Sequence, residues 1–268
     1  MKRLLSILLC VFALSSYGLQ AQRLVILHVN DTHSHLDPER SSGRAGHGGV
    51  IERAAYIDSV RHAYGKSNVL LLHAGDWDQG SPYFTIFGGD LEADLVNALG
   101  YDCLCFGNHE FDNGIEDLAR RVKTIKAPVV CANYDFSGFD IDVRPYAVVK
   151  KGGLKIGIVG AICNLSSVVG YETYSRLPAI EGGAAVFNHW ASVLRNEEKC
   201  DMVILLSHMG YDEDKAMAPS LSGFDIIVGG HSHTTLKDLV YCTDADGKSI
   251  PVIQDGYWGL ATGRIDVE

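Results

Sequence analysis

Five short clusters in this chain carry side chains able to hold a metal ion or move a proton. They are Asp31 and His33 in NDTH, Asp76 in HAGD, Asn108, His109, Glu110 and Asp112 in GNHEFDNG, His208 in SHMG, and His231 and His233 in GGHSH. Imidazole and carboxylate suit zinc, manganese or iron, and no cysteine stands in these clusters. Asp31, Asp76 and Asn108 offer oxygens, while His33, His208, His231 and His233 offer ring nitrogens. That set is too large for one tetrahedral zinc. Two divalent ions sharing a carboxylate fit it better, the arrangement of phosphoester hydrolysis with ions roughly 3.5–4 Å apart. A single Asp-x-His triplet is ordinary turn chemistry. Recurrence at five places is not.

The clusters are positioned by a repeated pattern, in which an apolar run stops at a polar group or a glycine. Arg23–Val29, Asn68–Leu72, Cys103–Phe106, Asp201–Leu206 and Asp225–Val228 read as buried strands. Polar groups just past such strand ends predict an open α/β sheet with its ligand at the carboxyl edge. Val50–Tyr64 reads as an amphipathic helix with Val50, Ala54, Ile57 and Val60 inward. Further helices are expected over Asp90–Leu99, stopped by Gly100, over about Gly114–Lys126, and over Glu181–Lys199. Pro128–Ala132 is a further strand. Tyr146–Lys150 and Leu154–Val159, joined by Lys151-Gly152-Gly153, form a hairpin, so the sheets are mixed. The stretch Trp77–Gly89 reads as too glycine-rich for a helix and as a wall of the site, with Asp78 a loop or capping residue. Leu239–Glu268 alternates short strands with turns at Asp246-Gly247 and Asp255-Gly256.

The chain has 268 residues, 47% hydrophobic and 21% charged, enough for a sizeable core; no linker or repeat divides it, which predicts one domain. Residues 1–21 stand apart. Lys2 and Arg3 precede an apolar stretch, Leu4–Leu14, and small and polar residues lead to Ala21, the order of a secretory signal. Cleavage after Ala21 predicts a secreted or periplasmic protein whose mature domain is 22–268. Removing Lys2 and Arg3 takes the net charge from −10 to −12. With no basic patch, a nucleic acid polymer is not an expected partner, although bound metal ions reverse the charge locally for a small phosphate substrate. Cys103, Cys105, Cys131, Cys163, Cys200 and Cys242 remain after the signal. Most lie in apolar runs without CxxC spacing and are expected to be free, buried thiols.

Asp31-x-His33, Gly75-Asp76, Gly107-Asn108-His109-Glu110, His208 and Gly230-His231-Ser232-His233, in this order, resemble the calcineurin-like metallophosphoesterase signature. NDTH, GNHEFDNG and GGHSH resemble its 5'-nucleotidase branch, with its UDP-sugar hydrolases and 2',3'-cyclic nucleotide phosphodiesterases. The resemblance, spanning residues 30–233, implies a four-layer αββα sandwich of two mixed β-sheets flanked by helices. It implies that Asp31, His33, Asp76 and His233 hold one ion and Asp76, Asn108, His208 and His231 the other, with Asp76 bridging. A hydroxide between the ions would attack phosphorus in line. His109 would stabilise the transition state or protonate the leaving oxygen, and Asp112 would orient His109.

Other histidines are left out of the centre. His28 and His73 read as core or supporting residues, His35 as near the site without being a ligand, His47 and Arg44 as exposed loop residues, and His62 and His189 as helix surface. Full-length 5'-nucleotidases carry a second, C-terminal domain that binds the base, whereas this chain ends at Glu268, where the catalytic domain should close. No such domain is expected here, and three readings follow. The first is an exported, 5'-nucleotidase-like dinuclear hydrolase acting on a small phosphorylated substrate, a nucleotide. The second is the catalytic half of a split nucleotidase completed by a separately encoded base-binding chain. The third is a non-catalytic metal-binding or interaction protein, disfavoured because His109 and Asp112 are intact. Trp77, Tyr83, Phe84, Phe87 and Trp258 are stacking candidates that read equally well as core. The sequence sets neither the identity of the ions (Zn, Mn or Fe) nor the oligomeric state.

Overall fold

The structure, a computed structural model, describes residues 24–41 and 43–267. The expected signal segment lies outside the described residues. In the first sheet, β1 (Leu24–Val29), β2 (Val69–Ala74), β3 (Cys103–Cys105), β4 (Val129–Val130) and β5 (Val143–Arg144) run parallel, and β12 (Gly263–Val267) pairs antiparallel with β1 at one edge. In the second, β7 (Leu154–Ile162), β8 (Met202–His208), β9 (Ile226–Val228) and β11 (Ser249–Ile253) run parallel. Antiparallel β6 (Tyr146–Lys151) and β10 (Val240–Thr243) close its two edges. Both sheets are mixed, as the hairpin predicts.

Strand alternation builds three apolar layers. Leu24 and Ile26 of β1 meet Ile204 and Leu206 of β8 between the sheets. Val25, Leu27 and Val29 face outward onto helices α1 (Val50–Tyr64), α3 (Asp90–Leu99) and α4 (Ile115–Val122). On the far side, Val203 and Leu205 pack against Phe187, Ala191 and Leu194 of α6 (Ala184–Asn196). Strands covered on both faces carry unbroken apolar runs, which is why they are legible in the sequence. Gly157, within β7, lets α6 approach: a Cβ there would lie 2.7 Å from both Leu194 methyls. The result is the expected four-layer αββα arrangement.

Several boundaries differ from expectation. The stretch expected to be non-helical contains α2 (Pro82–Phe87). Its glycines bracket the helix and do not interrupt it: the Ser81 side chain caps Tyr83 N, Pro82 fits the first turn, and Gly88 closes it at φ +62°. Asp78 is no capping residue. It is buried in an ion pair with Arg121 of α4, itself 1% exposed. Helix α4 stops at Val122, short of Lys126, because Asn97 takes hold of the next turn through Lys126 N and Thr124 O, both at 2.8 Å. Helix α6 is three residues shorter at each end than expected, since Gly182, Gly183 and Lys199 adopt φ of +134°, +52° and +56°. The remaining helices are α5 (Tyr171–Tyr174) and α7 (Tyr211–Met217). The hairpin turns on Gly152 and Gly153, both at positive φ, and β7 continues to Ile162.

All six cysteines in the described residues are free, and all but Cys242 are buried. Burial pushes the Cys131 and Cys163 thiols up to about 12, which makes them packing groups, not nucleophiles.

Candidate metal centre

The carboxyl ends of β1, β2 and β3 in one sheet meet those of β8 and β9 in the other. Asp31 and His33 follow β1, Asp76 follows β2, Asn108 and His109 follow β3, His208 ends β8, and His231 and His233 follow β9. Three groups of donors converge: Asp31, His33 and His233; Asp76, His208 and His231; and, between them, His33, Asp76 and His109. Within each group the donor atoms all lie within 4.8 Å of one another. Asn108 is in the same loop, 5% exposed, with Oδ1 3.9 Å from Cys163 Sγ.

The backbone makes this convergence possible. Asp31, His33, Asp76, His231 and His233 all adopt left-handed conformations, with φ between +48° and +76°. Each turns the chain sharply as it leaves a strand, so that the side chain points back over the sheet edge. The glycines of the motifs serve the same end. A Cβ on Gly107 would collide with Asp76 Oδ1 and lie 2.6 Å from His208 Nε2; one on Gly230 would lie 2.8 Å from His208 Nδ1.

Each carboxylate is held by one oxygen and presents the other. Asp31 Oδ2 accepts hydrogen bonds from His231 N (2.9 Å) and Asn30 Nδ2 (2.6 Å). Its Oδ1 has no hydrogen-bond partner and lies 3.3, 3.7 and 3.9 Å from the Nε2 atoms of His233, His33 and His208. Asp76 Oδ1 accepts from His109 N at 2.9 Å, and its Oδ2 faces His208 Nε2 at 3.0 Å and His33 Nε2 at 3.8 Å. The Nε2 atoms of His33 and His233 are 2.9 Å apart. Two buried carboxylate oxygens and three imidazole nitrogens aimed at one another are the donor set of a cation site. These residues therefore fit divalent ions.

Supporting residues lock the donors. Glu110 accepts four backbone N–H groups: Trp77 and Asp78 on Oε1 at 2.8 and 3.1 Å, and Asp76 and Gly107 on Oε2 at 3.0 and 2.5 Å. It thereby clamps the loop after β2 to the loop after β3. Burial and the Asp76 charge push Glu110 up to about 7 despite these donors. Asp112 Oδ2 lies 2.9 Å from His109 Nδ1. Burial lowers the proton affinity of His109, but Asp112 and Asp76 more than reverse this and leave it raised. Tyr257 stacks on His233 (centroids 5.0 Å, 20°), and Arg44 donates to Tyr257 Oη at 2.6 Å.

All nine residues named from the sequence, seven candidate ligands plus His109 and Asp112, lie in or beside this centre. His28 and His73 are buried, His73 with Nε2 3.2 Å from the hydroxyl of Thr32, His35 stacks on Trp258 (4.2 Å), and His47, His62 and His189 are exposed, as expected. Trp77 is a core residue, 2% exposed. The sequence pattern assigned no role to Glu110 and did not single out Asn30 or Tyr257. Only the direct sequence neighbourhood of Asn30 and Glu110 to the ligands hinted at theirs.

Residues 24–235 match the calcineurin-like phosphoesterase family. Among curated relatives, 5'-nucleotidase of Bos taurus is 34% identical over 91% of this chain and 46% of its own length, and the probable 5'-nucleotidase of Treponema pallidum is 34% identical over 80% and 37%. Among solved structures, the 5'-nucleotidase precursor of Thermus thermophilus superposes with a TM-score of 0.84 at 32% identity, over 92% of this chain and 51% of the other. The chain thus spans about half the length of the curated relatives it matches. Its matched span, its fold and its converging donors agree: the chain belongs to the calcineurin-like phosphoesterase family, the metal-dependent phosphoester hydrolases.

Proposed function

We propose that this protein is an exported phosphoester hydrolase of the 5'-nucleotidase type, acting on a small phosphorylated substrate with two divalent ions. The observation that carries the reading is the convergence of Asp31 Oδ1, Asp76 Oδ2 and the Nε2 atoms of His33, His208 and His233 on one another. Asp31, His33, Asp76 and His233 would hold one ion, and Asp76, Asn108, His208 and His231 the other. When bound, such ions neutralise the phosphoryl oxygens and supply a nucleophile from water at neutral pH.

The protein's own contribution is positioning and proton control. Asp112 accepts a hydrogen from His109 Nδ1 and favours the imidazolium form, which leaves Nε2–H free to donate beside the donor cluster. That proton goes to the leaving oxygen as its bond to phosphorus breaks. Asn30 and Glu110 hold the donor loops rigid through backbone amides, so little reorganisation accompanies the reaction.

Hydrolysis by the Mn- or Zn-loaded chain tests this. AMP, UDP-glucose, a 2',3'-cyclic nucleotide and bis-p-nitrophenyl phosphate are compared, with His109→Ala as control. Nucleotide turnover that collapses in His109→Ala supports the reading. Activity on the aryl ester alone points to a catalytic half that needs a separately encoded base-binding chain. Two bound ions with no activity on any ester would overturn the reading.

A further inference from the structure

Behind the turn that carries Asp31 and His33 lies a cavity of about 20 Å³, between the first sheet and its helices. Thr32, Arg53 of α1, His73 of β2, Trp77 and Glu92 of α3 supply its polar wall, and apolar side chains, most of them from α3, close the rest. Among the described residues, twelve buried side-chain nitrogens and oxygens have no hydrogen-bond partner. Five of the twelve belong to this wall: Arg53 Nε and Nη1, His73 Nδ1, Trp77 Nε1 and Glu92 Oε2. Folded proteins leave few such atoms, and a cluster of them round one space needs a bound polar molecule to satisfy it.

The chemistry of the wall limits what that molecule can be. Arg53 and Glu92 are 7% and 3% exposed and bear opposite charges, so the space favours neither a cation nor an anion. Their unpaired atoms do not meet each other directly. Burial, with the Arg53 charge adding to it, pushes His73 well below the usual histidine value, so its ring is neutral and has one donor and one acceptor nitrogen. Water accepts from a guanidinium and donates to a carboxylate from the same position, and a space of this size takes one molecule.

The wall also grips the turn next to it. Asp31, His33 and Ser34 have left-handed backbone, at φ +51°, +48° and +56°, a strained run that persists only where its surroundings fix it. Two side chains of that turn are held from the cavity wall. Thr32 Oγ1 lies 3.2 Å from His73 Nε2, and Ser34 Oγ donates to Glu92 Oε1. We propose that the cavity holds one ordered water bridging Arg53 to Glu92, and that Arg53, His73 and Glu92 are thereby positioning residues for Asp31 and His33. The inference rests on the reading of Asp31 and His33 as ion ligands and adds the groups that keep them aimed. A shift of the turn breaks hydrogen bonds to both α3 and β2.

The test uses the full chain. Glu92→Ala removes both the bridge and the grip on Ser34; Arg53→Met removes the other end of the bridge and serves if the first variant misfolds. Each is expected to weaken Mn binding by about tenfold in calorimetric titration, the loss typical of groups that hold metal ligands. Glu92→Gln keeps the shape and still hydrogen-bonds both Ser34 and a water, so its affinity is expected within about threefold of the wild type. Folded Glu92→Ala and Arg53→Met proteins with unchanged affinity would overturn the positioning role, as would a Glu92→Gln loss equal to that of Glu92→Ala. A crystal structure of the metal-free wild type tests the water by itself. A peak within hydrogen-bond distance of Arg53 and Glu92 supports it; no peak, or an anomalous signal there after a bromide soak, overturns it. A wild type that takes up no Mn would sink the metal reading, and with it the positioning of ligands, while the density still decides the water.

Discussion

His208 Nδ1 lies 2.6 Å from the carbonyl oxygen of Ala74, at the end of the neighbouring sheet's second strand. A carbonyl accepts only, so Nδ1 carries the hydrogen and Nε2 is the atom turned toward Asp76 and Asp31. One inter-sheet hydrogen bond thus sets both the orientation and the tautomer of a buried donor.

Proton release on ion binding follows from this arrangement. Burial disfavours a charged ring, but the Asp76 and Asp31 carboxylates outweigh it and hold His208 up at about 10. At pH 8 the metal-free ring is therefore an imidazolium, and an ion must displace its proton. Loading with Mn at pH 8 should release about one proton more from the wild type than from His208→Gln. Equal release from the two proteins, read with a pH indicator in weak buffer, would show that the ring is neutral beforehand.

Glu110→Gln should destabilise the metal-free protein without touching any candidate ligand. One side-chain oxygen can replace only part of a carboxylate that accepts four amides, and the new NH2 group faces donors. Buried donors left unpaired cost about 1–3 kcal/mol each, and removing a charge that burial disfavours offsets part of this, so a net loss of about 1–2 kcal/mol is expected in denaturant unfolding. A change below about 0.5 kcal/mol would mean that the clamp is redundant.

Tyr257 gives a separable result because its ring and its hydroxyl do different things. The ring braces His233, whose side chain is 39% exposed, while the hydroxyl engages Arg44. Tyr257→Leu should weaken metal binding by about tenfold, and Tyr257→Phe should leave it nearly unchanged. Calorimetric titration distinguishes them; matching losses in the two variants would assign the effect to the hydroxyl.

The pH dependence of stability has a contributor outside the centre. Asp214 is fully buried, with Oδ1 accepting from Ser207 Oγ at 2.5 Å and Oδ2 unpaired, and burial pushes it up to about 7 from 3.8. A carboxyl with a raised folded-state value stabilises below its unfolded value and loses that stability as pH rises through 7. Asp214→Asn removes the ionisation. It should therefore be more stable than the wild type at pH 8, by a few kcal/mol, with the difference vanishing near pH 4. A difference independent of pH, in unfolding curves at the two values, would mean that Asp214 does not titrate in this range.

The sequence made the candidate ligands legible because each stands at or within a few residues of an apolar strand end, a signal local in the chain. The same holds for Gly107 and Gly230, which precede ligands directly. Longer-range features were not readable. Arg121 and Asp78 form an ion pair across 43 positions, and Tyr257 comes to His233 in the turn between β11 of the second sheet and β12 of the first. Helix α2 was hidden for a different reason: composition counts glycines, but only their placement at the two ends, next to Ser81 and Pro82, decides whether a helix forms.

The left-handed backbone at Asp31, His33, Asp76, His231 and His233 bears on how this protein can change over generations. A non-glycine residue in that region costs about 1 kcal/mol or more, and the cost recurs with almost any replacement side chain. Glycine alone escapes it, and glycine has no donor atom. Mutations that relieve the backbone at these positions therefore lead away from the chemistry, and those that keep the chemistry keep the strain. A lineage that no longer needed the ions would have a short, downhill route to a sturdier fold with an empty sheet edge; one that needs them has to find its added stability elsewhere, in the apolar layers.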